Sequence, residues 1–348
     1  MNPRILLVVL SCVLSVALGL VLSRGGGEKK STARQRPLIG LSMDTLKEER
    51  WMKDRDLFTA QAQAQGADVM VLAANGSDSQ QVTDVQSMIT AGVDALVIIP
   101  HDGAAMARGV RMAHEAGIPV LSYDRLITGC DLDLYITFDN VRVGELQAKF
   151  LADRIPASGK LRLVRIYGSK TDNNAKLFKQ GQDNVLGPLI EAGKVEVIHE
   201  DWADDWRPDN AKKIVNAAIT RAGTEFDAVL ASNDGTAGGA IQALMEANLA
   251  GKVIVTGQDA DLAACQRIAN GTQTMTVYKP IQNLANRAAE LAVFMAKRKV
   301  IVAKDEIDNG HTQVPSILLD IVAVTKDNLR ETVVKDGFRS EEDVFGKR

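Results

Sequence analysis

The chain has 348 residues, 46% of them hydrophobic, which is enough to bury one large core or two medium ones and too apolar for a disordered chain. Its 41 basic and 44 acidic side chains leave a formal charge of -3. Nowhere do Lys and Arg concentrate enough to grip a phosphate backbone or to draw the surface to anionic lipid, so nucleic acid is not expected as a partner.

The chain opens with Arg4 as a basic start, a largely apolar run from Ile5 to Leu22, and then Ser23-Arg24-Gly25-Gly26-Gly27, which is the layout of an export segment. The mature protein is therefore expected outside the cytoplasm. Val21 and Ser23 make a poor small-x-small cleavage site, and the run is long enough to span a bilayer. Residues 1–27 thus read either as a signal peptide or as an N-terminal membrane anchor, followed by a polar linker at 28–36. Ser11-Cys12 has the look of a lipid-attachment box, but the apolar run continues well past Cys12, which argues against lipidation.

From Leu38 onward, short apolar runs alternate with longer helical stretches, the pattern of β-α-β units around a parallel sheet. Strands are predicted at Leu38 to Met43, Asp68 to Ala73, Ala95 to Ile99 and Pro119 to Tyr123, with helices at Arg50 to Gln65, Ser79 to Ala91 and Ala104 to Ala116. The rhythm then restarts. Leu161 to Tyr167, Val195 to His199, Ala228 to Ala231 and Val253 to Thr256 read as strands, and Asn174 to Ala192, Pro208 to Arg221 and Ala237 to Asn248 as helices. Val93-Asp94-Ala95-Leu96-Val97 echoes Phe226-Asp227-Ala228-Val229-Leu230, which indicates a duplicated lobe rather than a many-copy repeat. The expected fold class is α/β, with two doubly wound parallel-sheet lobes.

In such sheets ligands bind beyond the carboxyl ends of the strands, so polar residues directly after an apolar run are the first candidates. They are Asp44, Asp124-Arg125, Asn233-Asp234 and Gln258-Asp259, the last pair being the counterpart of Asp124 in the second half. Carboxylates and amide oxygens accept from hydroxyl protons, while Arg, Lys and amide nitrogens donate to hydroxyl and ring oxygens, so this set suits a neutral polyol. Trp51, Trp202 and Trp206 could cover the apolar face of a sugar. Each has a plainer reading: Asp124-Arg125 as a surface ion pair, Trp206 as loop packing, and Lys279, which precedes Pro280, as an exposed lysine at a chain reversal.

Catalytic and metal signatures are missing from the sequence pattern. His101, His114, His199 and His311 lack metal-ligand spacing, and no Gly-x-Ser-x-Gly elbow occurs. The acidic cluster at Asp201 to Asp205 lacks the spacing of a calcium loop. Gly235-Thr236-Ala237-Gly238-Gly239 fails the dinucleotide-loop spacing, and its glycines read as close helix packing. Cys130 and Cys265 have no Cys-x-x-Cys partner and read as isolated, partly buried thiols. No enzyme activity, metal or cofactor is expected.

Several segments resemble the periplasmic sugar-binding proteins of the ribose/xylose type, nearest to the xylose-binding branch that serves ABC importers. They include Glu49-Arg50-Trp51, Lys53-Asp54-Arg55-Asp56, Ala73-Ala74-Asn75-Gly76, Ser122-Tyr123-Asp124-Arg125 and Phe138-Asp139-Asn140. Further on come Val143-Gly144-Glu145-Leu146-Gln147, Asp172-Asn173-Asn174-Ala175-Lys176, Ala231-Ser232-Asn233-Asp234, Gly257-Gln258-Asp259-Ala260-Asp261 and Thr276-Val277-Tyr278-Lys279-Pro280. The chain departs from that pattern at Lys47-Glu48 and at Ser169-Lys170-Thr171.

The resemblance implies the type I periplasmic-binding-protein fold with a three-strand hinge near Asp139-Asn140, Tyr278 to Pro280 and Asp308 to Pro315. One lobe would comprise 37–140 and 281–308, the other 141–280 and 309–348. It implies sugar contacts from Arg50, Asp124 and Arg125 on one wall and from Asp172, Asn174, Trp206, Asn233, Asp259 and Lys279 on the other or its border. It also implies a monomeric carrier of D-xylose or a related pentose that hands its ligand to an inner-membrane ABC permease. A membrane-tethered sugar sensor is the alternative. A sugar-responsive repressor of the same architecture would need an N-terminal helix-turn-helix where this chain has its apolar run.

Overall fold

The computed structural model describes residues 36–157 and 159–346, so the expected export segment or anchor and nearly all of the linker lie outside the described residues. The first half runs β1 (Leu38–Met43), α1 (Glu49–Ala64), β2 (Asp68–Ala73), α2 (Asp78–Thr90), β3 (Ala95–Ile98), α3 (Ala107–Glu115), β4 (Val120–Tyr123) and β5 (Leu134–Phe138). The second runs α4 (Asn140–Ala152), β6 (Leu161–Tyr167), α5 (Asn173–Glu191), β7 (Val195–Trp202), α6 (Pro208–Ala222), β8 (Ala228–Ala231), α7 (Asp234–Glu246), β9 (Ile254–Val255), α8 (Leu262–Asn270) and β10 (Met275–Tyr278). Then come α9 (Ile281–Ala296), β11 (Asp305–Asp308), β12 (Gln313–Leu319), β13 (Val322–Thr325) and α10 (Glu341–Phe345).

The apolar runs become central strands because helices cover both faces of each sheet, and β3, β4, β5 and β8 are buried at every position. One sheet is ordered β11-β12-β5-β4-β3-β1-β2. On one face Ile39, Leu41, Val97 and Ile136 pack against Trp51 and Phe58 of α1 and Leu284 and Leu291 of α9. On the other Leu96, Ile98 and Tyr135 meet Val85 and Met88 of α2 and Val110 of α3. The second sheet is ordered β7-β6-β8-β9. Backbone hydrogen bonds extend it to β10: Thr274 N donates to Val255 O at 2.9 Å and Val277 N to Gly257 O at 3.1 Å. β10 pairs with β13 in antiparallel fashion. Both halves therefore carry the same strand order around the same switch point, as the internal echo in the sequence predicts.

The chain passes between lobes at Asp139, which caps α4 by accepting a hydrogen bond from Arg142 N, and again at Lys279-Pro280. The third passage differs from expectation. It lies at Asp320-Ile321, between β12 and β13, and not within Asp308 to Pro315. β12 runs parallel to β5 in the first sheet, from Ser316 beside Tyr135 to Leu319 beside Phe138, so residues 313–319 belong with the first lobe. The turn residues that suggest a lobe crossing instead form a hairpin between β11 and β12. Asn309 Oδ1 accepts from the backbone N of His311 and of Thr312, each at 3.0 Å, and Gly310 takes a φ of 81°.

Of the glycines at the start of α7, Gly239 serves close packing, since a Cβ there would lie 1.9 Å from the Pro208 carbonyl oxygen, whereas one on Gly235 would make only ordinary contacts at 3.6 Å or more. Cys130 and Cys265 are buried free thiols, pushed up to about 11 and about 12 by loss of solvent. Among the described residues no helix is long and apolar enough to cross a membrane.

Candidate functional site

Strand ends and helix starts converge where the two sheets face each other, and each polar side chain there is fixed by its local backbone role. Asp172 is the N-cap of α5: its Oδ1 accepts from Asn174 N at 2.9 Å. Its Oδ2 stays free to accept from Trp206 Nε1 at 3.1 Å and to meet Arg125 Nε at 3.1 Å. Asn233 is likewise the N-cap of α7, with Oδ1 accepting from Thr236 N at 2.9 Å, so its amide nitrogen is left for the cleft.

Asp124 and Asp259 occupy equivalent places, one after β4 and one after β9, and both have left-handed backbones with φ of 61° and 102°. In each, the backbone N donates to the next strand at 2.8 Å, Asp124 to Ile136 O and Asp259 to Val277 O. Such backbones cost about 1–3 kcal/mol apiece, and here they aim one carboxylate from each lobe at the same space.

That space is a small cavity between the facing strand ends of the two lobes. Arg50, Asp124, Arg125, Asp172, Asn174, Trp206, Asn233, Asp259 and Lys279 all line it, so the structure brings together every residue the family resemblance implied. Lys279 is 1% exposed, which disposes of its reading as an exposed lysine at a turn. Trp206 stands edge-on to Phe178 with ring centroids 6.2 Å apart. Trp202 is turned away and packs on Tyr167, centroids 4.9 Å apart. Asp234 does not line the cavity but ties the start of α7 to its neighbours, accepting from Gln273 Nε2 at 2.7 Å and Thr276 Oγ1 at 2.9 Å. Asp44 stands behind Arg125, accepting from its Nη1 at 2.7 Å.

The wall also contains Glu48, Trp51, Phe178 and Gln258. Gln258 and Trp51 were signalled by strand-end position and by tryptophan scarcity. Phe178 lies one helical turn after Asn174 on α5 and carries only the signature of a core residue. Glu48 comes just before α1, away from any strand end, and only the departure from the family pattern marks it.

The charges interlock across the lobes. Arg50 donates from Nη2 to Asp124 at 2.8 Å, from Nη1 to Asp259 at 3.3 Å and from Nε to Asp54 at 3.3 Å. Asn174 Nδ2 donates to Asp124 Oδ1 at 3.0 Å. With the Arg125–Asp172 pair, these contacts join the two walls, so the lobes are closed on each other. Burial works to raise the Asp124 carboxyl, but Arg50, then Lys279 and Arg125, outweigh it and hold it below the ordinary carboxylate range. Desolvation lowers Lys279 despite Asp124 and Asp259, and raises Asp172 despite Arg125. Two buried acceptor oxygens in the wall, Glu48 Oε2 and Gln258 Oε1, have no hydrogen-bond partner among the described residues. Outside the cavity, and sharing Glu48, Arg50, Arg125, Trp206, Asn233 and Asp259 with it, lies a broader groove that also takes in His101, Asp44 and Asp205.

Residues 39–299 match the family model described as periplasmic binding protein domain. The chain is 51% identical over 316 residues to the D-xylose-binding periplasmic protein of Haemophilus influenzae, covering 90% of this chain and 94% of that one. It is also 51% identical over 306 residues to the D-xylose-binding periplasmic protein of Escherichia coli, covering 88% and 92%. Among solved structures, a carbohydrate transporter solute-binding protein from Chloroflexus aurantiacus in complex with D-glucose superposes with a TM-score of 0.83 at 33% identity, covering 89% of this chain and 98% of that one.

Proposed function

The chain belongs to the periplasmic binding protein family, and from that premise we propose that it carries one monosaccharide, D-xylose or a related pentose, between its lobes to an inner-membrane ABC permease. One observation carries the reading: a cavity in which both lobes offer carboxylate, amide and cationic groups to the same small volume. Asp124, Asp172 and Asp259 balance Arg50, Arg125 and Lys279, so the set suits an uncharged ligand rich in hydroxyl groups. Phe178, Trp51 and Trp206 supply flat apolar surface for the C–H faces of a sugar ring.

The cycle is sugar entry into open lobes, closure about the passages at Asp139, Lys279-Pro280 and Asp320-Ile321, and delivery of the closed form to the permease. Binding favours closure because only then do both walls reach the ligand. The sugar is released chemically unchanged. The protein is exported and works in the periplasm, as its relatives' names and its apolar first segment support.

Calorimetry with a panel of pentoses and hexoses tests the reading. A single site per chain is expected, tightest for D-xylose, with affinity reduced at least about tenfold in D259A and R125A. Unaltered affinity in either variant would count against the cavity as the site. The run from Ile5 to Leu22 also supports a second reading, a tethered sensor that presents bound sugar to a receptor. Fractionation separates the two: a processed soluble form favours the carrier, an uncleaved membrane-bound form the sensor.

A further inference from the structure

One carboxylate in the cavity wall has no role in the network of charges described above. Glu48 opens α1 as its N-cap residue, with an extended backbone at φ -79° and ψ 140°, yet its side chain makes no capping hydrogen bond. It contributes instead to the stretch of wall common to the cavity and the outer groove, where Oε2 is buried without a partner.

The charge balance makes Glu48 stand out further. With three carboxylates matched by three cations, it is the excess acid. Burial raises its carboxyl above the ordinary range; Arg125 and a hydrogen bond from its own backbone N–H offset part of that rise, while Asp44 and Asp259 add to it, and Oε2 is the oxygen left without a donor. A buried acceptor without a donor is costly, and nothing in α1 requires it, since Ser, Thr, Asp or Asn would cap the helix better.

We propose that Glu48 is a specificity-determining residue that accepts a hydrogen bond from a ligand hydroxyl at the end of the sugar facing the groove. It selects for ligands carrying a hydroxyl at that position over otherwise identical ones lacking it. The inference rests on the sugar-carrier reading and deepens it.

The test is calorimetry on the full chain as wild type, E48Q and E48L, with D-xylose and each of its monodeoxy derivatives. E48L should weaken D-xylose binding by about tenfold to a hundredfold, the range for a hydrogen bond to a charged group, and E48Q by less. For one deoxy sugar, the one lacking the contacted hydroxyl, wild type and E48L should bind alike. Equal weakening by E48L across the whole deoxy series, or none for D-xylose, overturns the assignment. If E48L fails to fold, the same pattern is read from E48Q alone, whose shape matches the native side chain. Failure of the carrier reading looks different, because then the wild type itself binds none of the sugars.

Discussion

Gly168 and Trp206 show how one small residue shapes the cavity. Gly168 follows β6, and a Cβ placed on it would lie 2.0 Å from the Trp206 ring. The indole is brought there by two consecutive left-handed residues, Asp205 at φ 54° and Trp206 at φ 58°, a strained path for non-glycine residues. In G168A the ring must move, because the clash is with a rigid aromatic and not with the end of a flexible chain. Sugar affinity should fall by about tenfold or more, by loss of packing and of the Trp206 bond to Asp172, while the melting temperature changes little. Calorimetry and tryptophan fluorescence measure the two effects, and native affinity in G168A would show that the ring contributes nothing. Arg50 makes the opposite case, because its loss strikes stability first. R50M leaves Asp54, Asp124 and Asp259 without their shared cation in a buried site, and unfolding by urea should report a loss of about 3–5 kcal/mol.

Helix α1 links binding to stability through Asp54, one turn after Arg50. Burial raises this carboxyl to about 6, with Arg50 and a hydrogen bond from the Tyr123 hydroxyl only partly compensating. A carboxyl raised on folding contributes stability that is fully present below its unfolded value and is lost as pH rises through about 6. D54N cannot ionise. Its stability relative to wild type should therefore improve by about 2–3 kcal/mol between roughly pH 4 and pH 7, measured by urea unfolding at both, whatever the constant cost of the altered Arg50 contact. A difference independent of pH would mean that Asp54 is not held neutral.

The helix and strand pattern itself was legible from the sequence where burial is two-sided, as in β3, β4 and β8, because such strands read as unbroken apolar runs. It was less legible at β12, whose residues 313–319 are apolar enough for a strand but carry nothing local that chooses one sheet over the other. Pairing with β5 is decided by tertiary contact. The same limit applies to the site: Asp124 and Asp259 declare themselves by following strands, whereas Phe178 and Glu48 face the cavity only because α5 and α1 are docked as they are.

Across the whole molecule, the closed arrangement is held at its mouth as well as in the cavity. On one edge, Glu49 of α1 accepts from Leu262 N at 3.2 Å and pairs with Arg339, while Lys53 donates to Phe338 O at 2.8 Å. In the groove, His101 of the first lobe lies with Nδ1 2.9 Å from Asp44 and Nε2 3.9 Å from Asp205 of the second lobe. Asp44 is the strongest influence raising the His101 pKa; desolvation opposes it, Asp78 adds to the rise, and Arg125 works against it. Asp44, Asp78 and Arg125 stay with His101 when the lobes part, since all belong to the first lobe, whereas Asp205 meets it only on closure. Added burial on closure works against the protonated ring, but the contact with Asp205 is gained only then and favours it, so the expected outcome is that ligand binding takes up protons. The sign follows: affinity is highest below the pKa of the closed form and declines as pH rises through it. Asp205 is 61% exposed, so solvent screens the pair and the decline should be only about two- to fivefold. Calorimetry from roughly pH 5.5 to 8.5, repeated in buffers of different ionisation enthalpy, gives both the slope and the proton count. D205N should flatten the slope while leaving affinity at high pH unchanged, and a slope equal to that of the wild type would remove Asp205 from the closing of the lobes.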